Sequence, residues 1–549
     1  MERIERLTTP GFHALEMAEL VELEGNDEDK ALRLLSRYGD DVVFIAERGW
    51  SVWDGRRFSL AGGDLAARRI GHRLRQIVSE IGEWARWNYD PPPWMIEATQ
   101  KEAAEKKKYL SVEQAVEVIR QQVAGRHRKY SVACGNVDSV KNTLKVCEHM
   151  RWAEVEDMDR DPWVFVLPNG ALDLRAACEW ERPAAAEDAE VIAARASWLR
   201  PVSRGVLPTR CGGVEYDPAA DCPGWRAFLE LILPDPEIRA CMQRALGATL
   251  FGENRAQVCL FLRGPGGNGK STLLNILSHV LGSRGGYAAA CKIEMFLETG
   301  TVNPGAATPE EVDLPGARAY IATEPGARDV LSAKKIKGLT GGDRRMSRGL
   351  NKGAFFWSPH GIPILSCNRT PKIKDEDEGT RRRLVFFPFD VNLRALPREQ
   401  QRVQGEVEAE LKAEGAGILN WLLDGFRDFM AQGIAMPEPM QKLKSALMES
   451  ADPVGVFLDE MTVRDPSARI NVTEFYKVHV EWCETEGRAL YQMKTVGDVM
   501  VEKGFERGKS NGKSVWRGIG WSGAAAQMVS DVTGRAHQAP PPPMDDEPF

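Results

Sequence analysis

The sequence predicts an α/β protein with a parallel sheet at its centre, an α+β region before it and a small winged-helix-like module after it. Three observations carry that prediction. Between 256 and 390, short apolar strands at Val258–Leu262, Ala317–Ala322, Ile362–Ser366 and Leu384–Phe389 alternate with helical stretches and polar loops, the rhythm of strands joined by crossover helices. The first of these strands runs into a glycine-rich segment and then an apolar-faced helix, Thr272–Leu281. Outside this region the pattern changes, to mixed strand and helix signals upstream and to a compact stretch ending in short strands downstream.

Taken in order, the first region spans 1–205. Asp41–Glu47 and Gly49–Asp54 alternate as two strands, and Asp54-Gly55 is a hairpin turn signal returning through Arg57-Phe58. Helical periodicity covers Ala66–Trp84, Val112–Ala124 and Val137–Arg151, with a charged helical stretch at Glu102–Lys108 after the break at Asp90–Trp94. Trp163–Leu167 reads as a strand, and Asn169-Gly170 turns it into Ala171–Leu174. Residues 182–197 read as a surface helix or linker. The core region, 206–400, opens with helices over Trp225–Leu233 and Glu237–Gly247. A helical extension fills 401–451. The module at 452–521 holds a helix over Thr473–Glu486 and strands around Ser514–Trp516. From 522 to 549 the periodicity fades into a proline-rich acidic tail expected to be disordered.

Composition narrows the functional classes. Among 549 residues, 43% are hydrophobic and 28% charged, which excludes global disorder. No apolar run approaches the roughly 18 residues needed to span a bilayer, so no membrane partner is expected. The charged start Met1–Arg6 has no apolar segment behind it, which points to the cytoplasm. A net charge of −7 excludes a protein that coats nucleic acid along its whole surface, but not one that grips it in a local basic channel. Ten cysteines lie without C-x-x-C spacing, the pattern of reduced thiols packed as small apolar groups.

The strongest motif is Gly264-Pro265-Gly266-Gly267-Asn268-Gly269-Lys270-Ser271, which satisfies G-x-x-x-x-G-K-[ST] between a strand and a helix. Glycines let backbone N–H groups curl around phosphates, and the helix N-terminus, with Thr272 in its first turn, adds positive potential. Lys270 is expected on the β- and γ-phosphates of ATP and Ser271 on Mg²⁺. The strand Ala317–Thr323 ends in Glu324, where a carboxylate can orient the attacking water and share the metal. The strand Gly361–Cys367 ends in Asn368, an amide able to sense the γ-phosphate. Arg381-Arg382-Arg383 precede the next strand; Arg382 and Arg383 are both candidates to act on a neighbour's nucleotide.

Between Glu324 and Asn368, residues 334–353 hold seven basic residues and one acid. Asn351-Lys352-Gly353 has the composition of a hairpin tip, and Phe355, Phe356 and Trp357 follow. Arg345, Arg348 and Lys352 are the expected contacts to a phosphodiester backbone, with aromatics in support.

The order of these features resembles superfamily 3 helicases: phosphate loop, Glu-ended strand, Ile336-Lys-Gly-Leu-Thr-Gly-Gly-Asp343, basic hairpin, Asn-ended strand, then Arg382-Arg-Leu-Val-Phe-Phe-Pro-Phe389. More narrowly it is similar to the phage/plasmid primase-helicase family, which includes poxvirus-type and satellite-phage helicases. Trp50–Gly55 and Pro168–Leu174 resemble that family's domain ahead of the motor. The resemblance covers about 30–520. It implies an AAA+-like homo-hexamer that hydrolyses ATP, translocates on single-stranded DNA and unwinds forked duplex during replication. In that reading Glu324 is the catalytic carboxylate, Asn368 the sensor and Arg382 or Arg383 the finger. Asp157-Met-Asp159 stands alone among charges and without a zinc cluster, so no primer synthesis is expected.

Two other classes are weighed against the helicase: a DNA-bound initiator or assembly ATPase that does not unwind, and a primase-associated protein. Finally, the tip with Asp545, Asp546, Glu547 and the terminal Phe549 resembles the acidic tip of bacterial single-stranded-DNA-binding proteins, which implies capture of host replication or repair proteins.

Overall fold

The computed structural model describes residues 14–181, 187–298, 308–323, 329–350, 352–368, 372–374, 377–398, 401–451, 453–486, 490–510 and 512–534. The chain forms two compact units, Met1–Met436 and Pro437–Phe549. Among the described residues no helix is long and apolar enough to cross a membrane.

The first unit begins with helices around a four-stranded sheet, ordered Phe58–Ser59, Gly49–Trp53, Val42–Ile45, Trp152–Ala153. The Asp54-Gly55 turn forms as expected: Asp54 N donates to Arg57 O at 3.0 Å, and Trp53 pairs with Phe58. The single helix expected over Ala66–Trp84 is instead two, Gly63–Gly71 and Leu74–Asn88. Close packing accompanies the break, because a Cβ on Gly71 would lie 2.7 Å from Val140 Cγ1. Of the charged stretch expected as helix at 102–108, only 102–105 are helical, as the end of a longer helix, Pro93–Glu105, whose first turn the proline favours. Helix Val112–Cys134 outruns its expected end at 124 by ten residues. Leu74, Val78, Ile81, Ala85, Cys134 and Cys147 form the core of this part. Val164–Leu167 and Gly170–Asp173 then pair across the Asn169-Gly170 turn.

The centre of the unit is a five-stranded sheet. Its strands are β1 (Cys259–Arg263), β2 (Ala288–Ala290), β3 (Ala319–Thr323), β4 (Ile362–Cys367) and β5 (Leu384–Pro388), ordered β5-β1-β4-β3-β2 and parallel throughout. β2 is absent from the sequence reading, since three alanines carry no strand signal of their own. Phe261 on β1 stacks on Phe386 of β5, centroids 5.0 Å apart. Helix α1 (Lys270–Leu281) buries Leu273, Leu274, Ile276 and Leu277. Helices Pro236–Gly247 and Gly415–Gln432 cross at a pair of glycines. A Cβ on Gly247 would lie 2.3 Å from Phe426 N, and one on Gly425 2.2 Å from Gln243 O, so the contact closes backbone to backbone.

The second unit carries an antiparallel sheet ordered Thr462–Asn471, Lys513–Trp521, Arg507–Ser510, with helices Val472–Thr485 and Met493–Glu502. Phe457, Phe475, His479, Trp482 and Trp521 make its aromatic centre. Structure continues past 522, contrary to expectation: Ser522 Oγ accepts from Ala525 N, and helix Ala526–Thr533 buries Val529. Small residues at 523–526 mask that helix in the sequence. The tail with Asp545, Asp546, Glu547 and Phe549 lies outside the described residues. Among the described residues no disulfide joins the ten cysteines, and only Cys178 and Cys291 are partly exposed.

Candidate functional site

The segment Gly264–Gly269 leaves the C-terminal end of β1 and enters α1 at Lys270. Gly267 and Gly269 take φ of 80° and 83°, a left-handed backbone that favours glycine. Gly264 is held between strands. Its N–H donates to Cys367 O at 3.2 Å, and a Cβ there would fall 2.1 Å from Phe389 O. Buried Asn268 donates from Nδ2 to Phe389 O at 2.6 Å. Lys270 is buried as well, and its Nζ donates to Gly264 O at 2.6 Å, Asn268 Oδ1 at 2.9 Å and Pro265 O at 3.2 Å. The ammonium thus sits inside the loop, in the place that phosphate oxygens take when such a loop wraps an anion. Ser271 is exposed beside it, and Thr272 is buried in the first turn of α1.

β4 lies next to β1, with Cys367 opposite Arg263. Exposed Asn368 therefore stands at the same sheet edge as Gly264. Burial pushes the Cys367 thiol up to about 11, with the Lys270 charge pulling the other way. β3 ends at Thr323, opposite Ser366 of β4. Glu324 follows it but lies outside the described residues.

A cavity of about 460 Å³ opens beside the loop, lined by Gly267, Gly269, Thr272, Phe228, Arg394 and Arg402 among others. The loop after β5 closes one side, with Leu393 N donating to Gly267 O at 2.9 Å. A Cβ on Gly267 would come within 3.0 Å of Arg394 Nε. Arg402 is neutralised by Glu410 at 2.6 and 2.9 Å. The sequence reading missed Arg394, which belongs to no motif and reaches the site only through the loop geometry.

Arg382 and Arg383 occupy the opposite edge of the sheet. β1 and β5 are parallel with Cys259 facing Leu384, so the arginines sit at strand starts and the glycine loop at strand ends. Five residues at about 3.3 Å each separate the two edges by roughly 16 Å. The two arginines differ. Arg383 is held by Thr340 Oγ1 (3.1 Å), Gly379 O (2.7 Å) and Gln257 Oε1 (3.2 Å). Arg382 is exposed, with a bond to Gln257 Oε1 at 3.2 Å.

The basic segment forms a two-stranded hairpin, Arg345–Arg348 against Ala354–Trp357. Its cations are engaged within the protein. Arg345 pairs with buried Glu311 at 2.5 Å, which also accepts from Ser347 Oγ; Ser347 in turn receives Trp357 Nε1 at 2.7 Å. Arg348 Nε donates to Lys352 O, Lys352 Nζ to Arg48 O at 2.9 Å, and Gly353 N to Glu47 Oε2 at 3.0 Å. Arg344, absent from the sequence candidates, pairs with Glu156 and lies over the exposed Phe356 ring at 4.5 Å. The hairpin thus rests on the N-terminal part of its own unit.

Comparison with known proteins gives partial matches. Residues 31–234 match the family described as D5 N terminal like. Three viral proteins bearing the name putative helicase are similar to this chain. The one from Acanthamoeba polyphaga mimivirus is 29% identical over 46% of this chain and 28% of its own length. The one from Frog virus 3 (isolate Goorha) is 26% identical over 47% and 27%. The one from Invertebrate iridescent virus 3 is 22% identical over 75% and 43%. The match therefore spans less than half the length of each of these relatives. A solved apo structure of the NrS-1 C terminal region aligns over 59% of this chain and 87% of that one, at 14% identity and a TM-score of 0.34. The family model and the viral relatives each match part of this chain.

Proposed function

We propose that this chain, which resembles the phage/plasmid primase-helicase family, is an ATP-dependent DNA helicase of the replicative type. The observation that carries this reading is the seat of Lys270, a buried ammonium inside a glycine loop that joins a central parallel strand to a helix N-terminus. Phosphates of ATP entering there replace the carbonyl partners of Lys270, and the N-terminus of α1 favours their charge. The adjoining cavity accepts the nucleoside. Ser271 and Glu324 would hold Mg²⁺, which would supply charge neutralisation at the phosphates. Asn368 reads the γ-phosphate from the neighbouring strand.

Arg382 and Arg383 stand at the far sheet edge, so they serve the nucleotide of an adjacent protomer. Arg382 is the finger in this reading, because Arg383 is fixed by three bonds. That requirement, with the sheet order β5-β1-β4-β3-β2, supports an AAA+-like ring, a homo-hexamer by family resemblance. Arg345, Arg348 and Lys352 of the hairpin hold single-stranded DNA. Arg345 would first have to leave Glu311, which makes Arg348 and Lys352 the more available pair. The second unit is read as the winged-helix-like module, and the tail as a partner-binding tip.

Strand displacement on forked DNA with ATP and Mg²⁺ tests this, comparing the wild type with Lys270→Ala and Lys352→Ala. The helicase reading expects unwinding by the wild type alone, with basal hydrolysis retained by Lys352→Ala. Hydrolysis without displacement, on forks of either tail polarity, replaces it with the DNA-bound assembly ATPase. The internal pairing of the hairpin cations is the observation favouring that second reading.

A further inference from the structure

Two segments that have no common motif meet beside the arginine helix. Helix Ala333–Thr340 leads, after four residues, into the basic hairpin. Helix Glu378–Arg383 carries the candidate finger. Three separate contacts tie them. Upstream of the helices, strands Val330–Ser332 and Lys372–Lys374 pair in parallel, Leu331 opposite Ile373. Lys337 Nζ forms a short ion pair with Asp377. Thr340 Oγ1 accepts from Arg383 Nε at 3.1 Å. Lys337 and Thr340 are three residues apart, on one face of their helix.

Asp377 divides its carboxylate between two duties. Oδ1 caps the arginine helix, accepting from Thr380 N at 2.8 Å and Thr380 Oγ1 at 2.9 Å. Oδ2 takes Lys337. The Lys337 contact and the cap hold the Asp377 carboxyl well below the usual carboxylate range. The side chains of Lys337 and Asp377 are 34% and 56% exposed, and half-exposed pairs of this kind add little to fold stability. Thr340 is anchored by its own bond to Ile336 O at 2.7 Å, and Gly341 N closes the helix on Lys337 O at 2.8 Å. Beyond that cap the chain enters strand Arg345–Arg348, which Glu311 grips. Short, directional contacts thus run from the arginine helix to the root of the hairpin.

We propose that Lys337 and Asp377 are positioning residues that join the trans-acting arginine helix to the DNA hairpin, so that hydrolysis at one interface moves the DNA grip of the protomer supplying the arginine. The proposal rests on the motor reading above. Neither residue touches nucleotide, and neither is assigned to DNA.

The test is a double-mutant cycle on the full chain, reading the ratio of ATP hydrolysis with single-stranded DNA to hydrolysis without it, alongside DNA affinity by fluorescence anisotropy. Asp377→Asn keeps an acceptor for the helix cap while removing the charge, and Lys337→Met removes the ammonium. Each is expected to cut the DNA-stimulated ratio about fivefold, the double variant no further than either single, since both break one contact. Lys337→Arg is expected to stay near the wild type, and DNA affinity to change less than about twofold in all four. Multiplicative losses in the double variant, a loss of DNA affinity matching the loss of stimulation, or full stimulation in the single variants overturns the coupling while leaving the motor reading intact. A wild type that hydrolyses ATP with no response to DNA overturns the motor reading, and the coupling with it.

Discussion

Arg344 and Glu156 meet as a two-point ion pair, Nε 2.8 Å and Nη2 2.9 Å from the two carboxylate oxygens, across 188 residues of sequence. The pair joins the root of the basic hairpin to the N-terminal part of the unit. At the hairpin tip, Glu47 and the Arg48 carbonyl do the same for Gly353 and Lys352. In the helicase reading, a nucleic-acid phosphate would compete with Glu156 for this guanidinium, which is geometrically suited to either.

Glu156→Gln is expected to raise affinity for single-stranded DNA about fivefold at low salt, roughly 1 kcal/mol for one released cation, and the gain should shrink as salt rises. Fluorescence anisotropy with a labelled oligonucleotide at two ionic strengths checks this. An unchanged affinity at both would mean that Arg344 does not face the strand.

Gly264→Ala tests the seat of the loop independently of activity. The new Cβ would strike Phe389 O, a backbone atom of the neighbouring strand end. Destabilisation of about 3 kcal/mol is expected, as for other steric insertions against backbone. Urea unfolding followed by tryptophan fluorescence measures it. Gly266→Ala, whose Cβ meets nothing within 4 Å, should leave the midpoint within about 0.5 kcal/mol.

Arg382→Ala and Arg383→Ala should part company. Loss of Arg382 is expected to lower hydrolysis about a thousandfold, as loss of an arginine finger does, with ATP binding and unfolding midpoint unchanged. Loss of Arg383 breaks bonds to Thr340, Gly379 and Gln257 and should lower the midpoint. Doping wild type with Arg382→Ala protomers should depress activity more than in proportion; strict proportionality would count against action between protomers.

The second unit should weaken in mild acid. His479 is buried among Phe457, Tyr476 and Trp482, and burial lowers its pKa to about 4. The neutral ring is the folded form, whereas the unfolded chain takes up its proton near 6.5. Stability is therefore full above about pH 6.5 and falls as pH drops towards 4, by up to about 3 kcal/mol. His479→Phe should flatten that slope in pH-dependent unfolding; an identical slope would place the acid sensitivity elsewhere.

Much of the fold was legible because its signals are local. The alternation of Val42–Ile45 with Gly49–Trp53, the Asp54-Gly55 turn and four strands of the central sheet all follow from periodicity and turn chemistry. β2 was illegible because Ala288–Ala290 earns its place only by pairing with β3. The break at His72–Arg73 depends on how closely Gly71 meets Val140, a tertiary fact. The site divides in the same way. Lys270 and its loop announce themselves as a motif. Arg394 over Gly267, Glu156 against Arg344 and Asp377 against Lys337 are pairs distant in sequence, and one chain read alone carries no signal for them. Arg382 and Arg383 were equivalent by position and became distinct only once Thr340 and Gly379 were seen to hold Arg383.

The buried thiols give the molecule a set of internal clocks. Cys134 and Cys147 lie in the N-terminal core, Cys259 and Cys367 on adjacent strands of the central sheet, and Cys483 beside His479 in the second unit. A thiol reagent reaches each only when its own neighbourhood opens. The order in which these five positions become labelled would chart which part of the chain loosens first, and whether added ATP slows the central pair relative to the others.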